Sequence, residues 1–171
     1  MIEYRKARLE DVKGIIQVCS DGYRNTYPEL IQMDHIENII MEYYNENRIK
    51  NELSNISQEW NGWFVAVENG QVIGAGGGGF VAPEIAELYV IYLNPNRKRE
   101  GIGSNLLAII TEDQIKRGAK QQYVSVIKGN LIGTPFYEKV GFIYDSEHPA
   151  HGLPEEEGYK SLRYKRNLTS S

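Results

Sequence analysis

The stretch LNPNRKREGIGSNLL, Leu93 to Leu107, carries three signals in succession. An apolar strand ends at Leu93, Arg97, Lys98 and Arg99 form a basic turn, and Gly101-Ile102-Gly103 opens a helix whose pattern continues through Leu106, Ile109 and Ile110. The first N–H groups of a helix lack partners within it, and the helix dipole favours negative charge at that end. Glycine there lets an anion approach the backbone closely, so the whole reads as a phosphate cradle. A dinucleotide fingerprint would need a glycine where Leu106 stands and an acid about twenty residues on, where Lys120 to Gln122 lie. A P-loop would need a closing Gly-Lys-Ser/Thr, which is missing; an ordinary glycine-rich turn stays open on this segment alone.

Outward from this segment, helix and strand signals alternate. IAELYVIYL, Ile85 to Leu93, reads as a strand entered through the Pro83-Glu84 turn. Trp63 to Val67 is strand-like, and Asn69-Gly70 joins it as a hairpin to a strand from Gln71 to Phe80. That strand holds Gly74 and Gly76 to Gly79, which indicates a bulge, a close approach of another backbone or ligand, or a flexible hairpin end. Toward the N-terminus, Ile2 and Tyr4 suggest a short strand, and Val12, Ile15, Ile16 and Cys19 share one face of a helix beginning near Leu9. A second helix, with Asp34 as its expected cap, runs through Ile36, Ile39, Ile40, Tyr43 and Tyr44, with Glu37, Glu42 and Glu46 off the apolar stripe. Downstream, the helix of 101–117 ends at Lys116-Arg117-Gly118, Tyr123 to Ile127 is a strand, Pro135 to Val140 a short helix, and Phe142 to Tyr144 a strand. A polar loop, DSEHPAHGLPEEEG, precedes a last strand at Tyr159 to Arg166.

With 171 residues, 41% hydrophobic and 25% charged, the chain has the size and composition of one globular domain, residues 1–171. The longest uncharged stretch, Gly70 to Pro83, is fourteen residues and glycine-rich, short of the roughly 20 apolar residues a membrane span needs, so no membrane partner is expected. The N-terminus has no apolar signal region, and Cys19 is the only cysteine, which excludes an internal disulfide; both fit a cytoplasmic protein. The net charge of −4 arises entirely in residues 1–60, with eleven acids against seven bases. A nucleic-acid partner calls for a basic surplus and is not expected; a cationic partner near the N-terminal helices is.

A second motif, Asn130-Leu-Ile-Gly133-Thr-Pro135-Phe136-Tyr137-Glu138-Lys139-Val140-Gly141-Phe142, follows in order. Lys98-Arg99-Glu100-Gly101-Ile102-Gly103 resembles the Q/R-x-x-G-x-G/A pyrophosphate loop of the GNAT superfamily of N-acetyltransferases, and the second motif resembles that family's N-x-x-A-x-x-F-Y-E-K-x-G-F segment. Lys98 departs from the usual Arg or Gln and lacks their planar group. Gly133 stands for the usual Ala, and Pro135 enters the family helix, which here could begin at Thr134. The resemblance implies one α/β (α+β) domain with a mixed, mostly antiparallel central sheet flanked by helices, and acetyl-CoA as cosubstrate without a metal. It implies cofactor contacts from the strand at Ile91, Tyr92 and Leu93, from the loop at Lys98, Arg99, Glu100, Gly101, Ile102, Gly103 and Ser104, and from Asn130 and Tyr137.

Acetyl transfer to an amine requires that an ammonium with a reference pKa near ~10 lose a proton, and that a departing thiolate gain one. Glu87 resembles the general base that some family members carry on this strand; water or a backbone carbonyl could serve instead. Tyr137 matches the family's general acid. The resemblance places pantetheine along the strand, with an amide near Leu93 polarising the thioester carbonyl. Tyr23 and Tyr27 fall where family acceptors bind, though aromatic packing is their ordinary role. His148 and His151 lack a third ligand and read as solvated loop histidines. Glu155 to Glu157 read as a solvated run or the rim of the acceptor site. The reading is therefore an N-acetyltransferase that acts on a small-molecule or peptide primary amine by direct attack in a ternary complex. A non-catalytic acyl-CoA sensor of the same fold is the alternative, and a homodimer is compatible with either.

Overall fold

The computed structural model describes residues 1–130 and 133–168. A seven-stranded sheet has the order β1-β2-β3-β4-β5-β7-β6 and is antiparallel throughout except where β4 meets β5. The strands are β1 (Ile2–Lys6), β2 (Trp63–Glu68), β3 (Gln71–Ala82), β4 (Ile85–Leu93), β5 (Gln121–Ile127), β6 (Ile143–Pro149) and β7 (Lys160–Asn167). The helices are α1 (Val12–Thr26), α2 (Met33–Tyr43), α3 (Glu46–Ser54), α4 (Ile102–Lys116) and α5 (Gly133–Lys139). This is the expected mixed, mostly antiparallel α/β architecture.

Helices on both faces explain why β2 is apolar at consecutive positions rather than alternate ones. Trp63, Val65 and Val67 pack with Val12, Ile15, Val18 and Cys19 of α1 and Ile49 of α3. Phe64 points the other way into a core with Leu106, Leu107 and Ile110 of α4, and Ala66 packs with Ile102. The Asn69-Gly70 hairpin turn has positive φ at both residues, as a tight two-residue turn requires.

The glycine run of β3 has a definite cause. A Cβ on Gly78 would run into the carbonyl oxygen of Glu87, and one on Gly79 into that of Glu59. Residues 57–61 lie over this strand, with Asn61 N donating to Gly78 O and Phe80 N to Gln58 O, both at 2.8 Å. Opposite, Gly77 pairs with Val90 but Gly78 pairs with Leu88, leaving Tyr89 as the extra residue of a bulge in β4. Close backbone approach and a bulge therefore coincide, and the flexible-end reading falls away.

Three sequence expectations change. The second helix stops at Tyr43, and Asn45 caps a separate α3 by accepting from Arg48 N at 2.9 Å. Gln32 rather than Asp34 occupies the N-cap of α2, which places Asp34 in its first turn. The polar stretch after Tyr144 is half strand, because β6 continues to Pro149 along β7.

Candidate active site

The site begins where β4 and β5 separate. Their parallel pairing runs only from Ile85↔Gln121 to Leu88↔Val124; beyond it β4 stays with β3 and β5 with β7. A bulge bends and twists its strand, and this one sits at the point of divergence. The wedge is a groove of about 500 Å³, walled by Leu88 to Leu93, by Val124 and Val126, and at one end by Lys98, Arg99 and Gly103.

At that end α4 opens from Gly101, whose φ of 78° suits glycine, with no side chain capping the helix. The unpartnered N–H groups of the first turn and the two basic residues give an apolar groove an electropositive end, which suits an anion. Gly103 lies on the groove wall and Ile102 is buried beneath it. Ser104 is exposed, and its side chain is not among those lining the groove. Arg97 is committed elsewhere. Its Nη1 donates to Glu68 Oε1 and its Nε to Glu100 Oε2, each at 2.7 Å, which braces the loop and leaves Glu100 only its backbone to offer a ligand. These pairings hold both carboxyls below the ordinary carboxylate range, with the Arg97 hydrogen bond the main cause.

Asn130 and Tyr137 close the other side of the groove. Asn130 Oδ1 accepts from Gly133 N at 2.9 Å, so it caps α5. A Cβ on Gly133 would approach Asn130 Nδ2 to 2.9 Å, which gives a reason for glycine at this position. Pro135 falls in the first turn of α5, where its missing N–H costs no helical bond. Leu131 and Ile132, inside the second motif, lie outside the described residues. The Tyr137 ring packs edge-on against Phe136 and Phe142. Burial, with a smaller contribution from Tyr27, raises its pKa above that of a free phenol.

A second cavity, of about 910 Å³, adjoins the first and shares Leu88, Tyr89, Val90 and Tyr92 with it. Glu87 faces this cavity, and Tyr137 faces the groove. The two candidate tyrosines divide likewise, Tyr23 lining the cavity and Tyr27 the groove, with Tyr92 Oη donating to Tyr27 Oη at 3.5 Å. Glu87 Oε1 accepts from Arg163 Nη2 at 2.7 Å. Burial raises the Glu87 pKa, and Arg163 offsets part of that rise.

Much of this cavity escaped the sequence reading. Tyr43, Trp60, Trp63 and Tyr123 supply aromatic wall, and Arg48 and Arg163 supply cations. Each arginine stacks on a tyrosine, Arg48 over Tyr43 at 4.4 Å and Arg163 over Tyr123 at 4.1 Å. Glu52 and Glu87 balance the two arginines at the cavity wall. The acidic excess of residues 1–60 lies instead largely on exposed helix faces, as with Glu37, paired to Arg24, and Glu46, paired to Lys50. His148 and His151 are exposed, as expected, and both line this cavity, His148 from β6 and His151 from the turn after it. Among the described residues no group of three or more His, Cys, Asp or Glu is placed to hold a metal, and no helix is long and apolar enough to cross a membrane. Glu157 lies away from this wall, paired with His35 at 2.8 Å.

The sequence and fold have counterparts among known proteins. A family model described as acetyltransferase (GNAT) family matches residues 29–142. An uncharacterized N-acetyltransferase, YuaI, of Bacillus subtilis is 36% identical over 135 residues, covering 76% of this chain and 74% of that protein. A spermidine N(1)-acetyltransferase of Thermoplasma acidophilum is 30% identical over 146 residues, covering 82% and 88%. Among solved structures, PaiA N-acetyltransferase from Thermoplasma acidophilum in complex with coenzyme A superposes with a TM-score of 0.82 at 26% identity, covering 98% and 99% of the two chains. The structure of yncA from Salmonella typhimurium with its cofactor acetyl-CoA has the same fold, at a TM-score of 0.67 and 15% identity, covering 99% and 95%. Agreement of family model, relatives and fold along most of its length establishes that this chain belongs to the GNAT family of acetyltransferases.

Proposed function

We propose that the protein transfers an acetyl group from acetyl-CoA to a primary amine by direct attack within a ternary complex, without a metal. One observation carries the reading: the groove with the electropositive end and the cavity holding Glu87 meet along Leu88, Tyr89, Val90 and Tyr92. An amine in the cavity can therefore reach a thioester lying along β4, so no acyl-enzyme is required. When bound, acetyl-CoA supplies the acetyl group already activated as a thioester.

The chain's own residues bind, orient and move protons. Lys98, Arg99 and the α4 N-terminus suit the pyrophosphate, and Gly103 leaves the space through which its oxygens approach the backbone. Backbone N–H groups of β4 beyond the bulge face a strandless side and can hold the thioester carbonyl. Glu87 accepts the proton shed by the ammonium, which leaves the nitrogen lone pair free to form the C–N bond. As the C–S bond breaks, Tyr137 gives its hydroxyl proton to the sulfur; the second proton, shed by the new amide nitrogen, restores the phenol, and Glu87 releases the first to solvent, while the raised pKa of Tyr137 keeps its proton in place throughout the neutral range. The cavity wall offers an amine the carboxylates of Glu52 and Glu87 among aromatic side chains. Together with the spermidine N(1)-acetyltransferase relative, they point to a polyamine-like acceptor.

The test is an amine panel containing spermidine, simple monoamines, amino acids and a peptide N-terminus, assayed with acetyl-CoA for thiol release and N-acetylated product. Turnover with a polyamine above the other classes is expected. Coenzyme A binding without turnover of any amine would favour a sensor role instead.

A further inference from the structure

Three residues on neighbouring strands form one row on the cavity wall. Glu87 of β4 is directly opposite Tyr123 of β5, and Arg163 of β7 is opposite Ser125, two residues further along on the same face of β5. The Arg163 guanidinium spans this row. It stacks on the Tyr123 ring at 4.1 Å and donates from Nη2 to Glu87 Oε1 at 2.7 Å. Of the two carboxylate oxygens Arg163 engages only Oε1. The backbone beneath is fixed as well, because Gln114 Nε2 donates to the Glu87 carbonyl at 3.1 Å.

We infer that Arg163 is a positioning residue for Glu87, pinning one carboxylate oxygen so that the other is presented, ionised, to the acceptor amine. The inference rests on Glu87 being the base. Three features favour it over a merely structural ion pair. Both partners line the cavity rather than the outer surface of the protein. The guanidinium stacks on Tyr123 and donates to the carboxylate from Nη2 alone, its buried Nε having no partner among the described residues, so only one carboxylate oxygen is engaged. Burial pushes the carboxyl toward its neutral form, in which it cannot take a proton, and Arg163 opposes that push. A fixed cation beside the base also disfavours the ammonium form of the incoming amine.

Other ionisable groups face the same space. Tyr89 and Tyr92 approach from β4, Tyr23 from α1, Tyr43 and Tyr44 from the end of α2, Arg48 and Glu52 from α3, and His148 and His151 from β6 and the loop after it. Titration is therefore followed at the Glu87 carboxyl carbon itself, by 13C NMR of the full chain, with Glu87→Gln identifying the resonance. Alongside it, kcat is measured against pH with spermidine and saturating acetyl-CoA. In Arg163→Met the Glu87 midpoint should rise by about one pH unit or more, the usual size of a lost neighbouring cation. The ascending limb of kcat should move with it, and Arg163→Lys should recover most of the shift. A midpoint unmoved in both variants, or kcat lowered equally at every pH, would overturn the inference. Arg163→Lys keeps the charge and guards against a misfolded Arg163→Met protein. Full activity of Glu87→Gln would instead remove the base reading, while the NMR titration still reports whether Arg163 governs the carboxyl.

Discussion

Gly103 offers a perturbation in which stability and binding move in opposite directions. It is the second residue of α4 and lies on the groove wall, and a Cβ there would sit 3.5 Å from Leu93 Cδ1 and from the Phe136 ring, ordinary contact distances. The fold therefore accepts Gly103→Ala without strain. Replacing glycine by alanine in a helix is worth up to about 1 kcal/mol, less near an end, which for a chain of this size raises Tm by up to about 2–4 °C. The same methyl group occupies the space through which a phosphate reaches the helix N–H groups. Losing one or two charge-assisted hydrogen bonds, at about 1.5–3 kcal/mol each, weakens binding by roughly 10- to 100-fold or more. Gly103→Asp adds charge repulsion to the phosphate while remaining favourable to the helix dipole, so its loss of affinity should be greater still. Calorimetry with acetyl-CoA and thermal melts of the ligand-free protein read the two effects separately. Wild-type affinity in Gly103→Ala, or a large drop in its Tm, would refute the cradle.

Other consequences are equally direct. Tyr137→Phe keeps the ring packing and removes only the hydroxyl, so acetyl-CoA affinity and Tm should change little while kcat falls by ~10–1,000-fold. Because burial raises the Tyr137 pKa, the acid form persists as pH rises, and the wild-type kcat–pH profile should show no descending limb from this phenol up to pH ~10. Gly79→Ala forces a methyl into the Glu59 carbonyl and should destabilise by about 1–3 kcal/mol or more, seen as a Tm lower by roughly 2–4 °C per kcal/mol. A Tm within a degree of wild type would contradict the described overlap of strand and segment. For the acidic outer faces of the N-terminal helices, kcat/KM with a triamine should fall between about 20 and 150 mM salt more steeply than with a monoamine, and equal slopes would remove electrostatic steering.

What the sequence discloses and what it conceals follow from where the chemistry resides. The phosphate loop is legible because its function needs glycines at fixed places in a strand-to-helix turn, and the helices and hairpin are legible because their packing is periodic along the chain. The break at Asn45 was available in principle, since Asn is a favoured N-cap, but the apolar stripe of α2 leading up to it masked the signal. The brace from Arg97 to Glu68 spans 29 residues, so locally Arg97 reads only as part of a basic turn. The second cavity was hidden more completely. Arg163 stands 76 residues from Glu87 and Tyr123 is set beside it by a parallel strand pair, so no local pattern announces them. Even the four glycines, which signal close approach, do not reveal which backbone approaches: the carbonyls of Glu87 and Glu59 at Gly78 and Gly79, and those of Val90 and Gly62 at Gly76 and Gly77.

The central claim is that two adjoining cavities hold both substrates at once and the acetyl group passes directly between them. Initial rates of thiol release, with acetyl-CoA and spermidine each varied against the other and the N-acetylated product quantified, test it most directly. The account predicts intersecting double-reciprocal lines and one N-acetylated amine per thiol released. Parallel lines with an isolable acetyl-enzyme, or thiol release without acetylated amine, would contradict it.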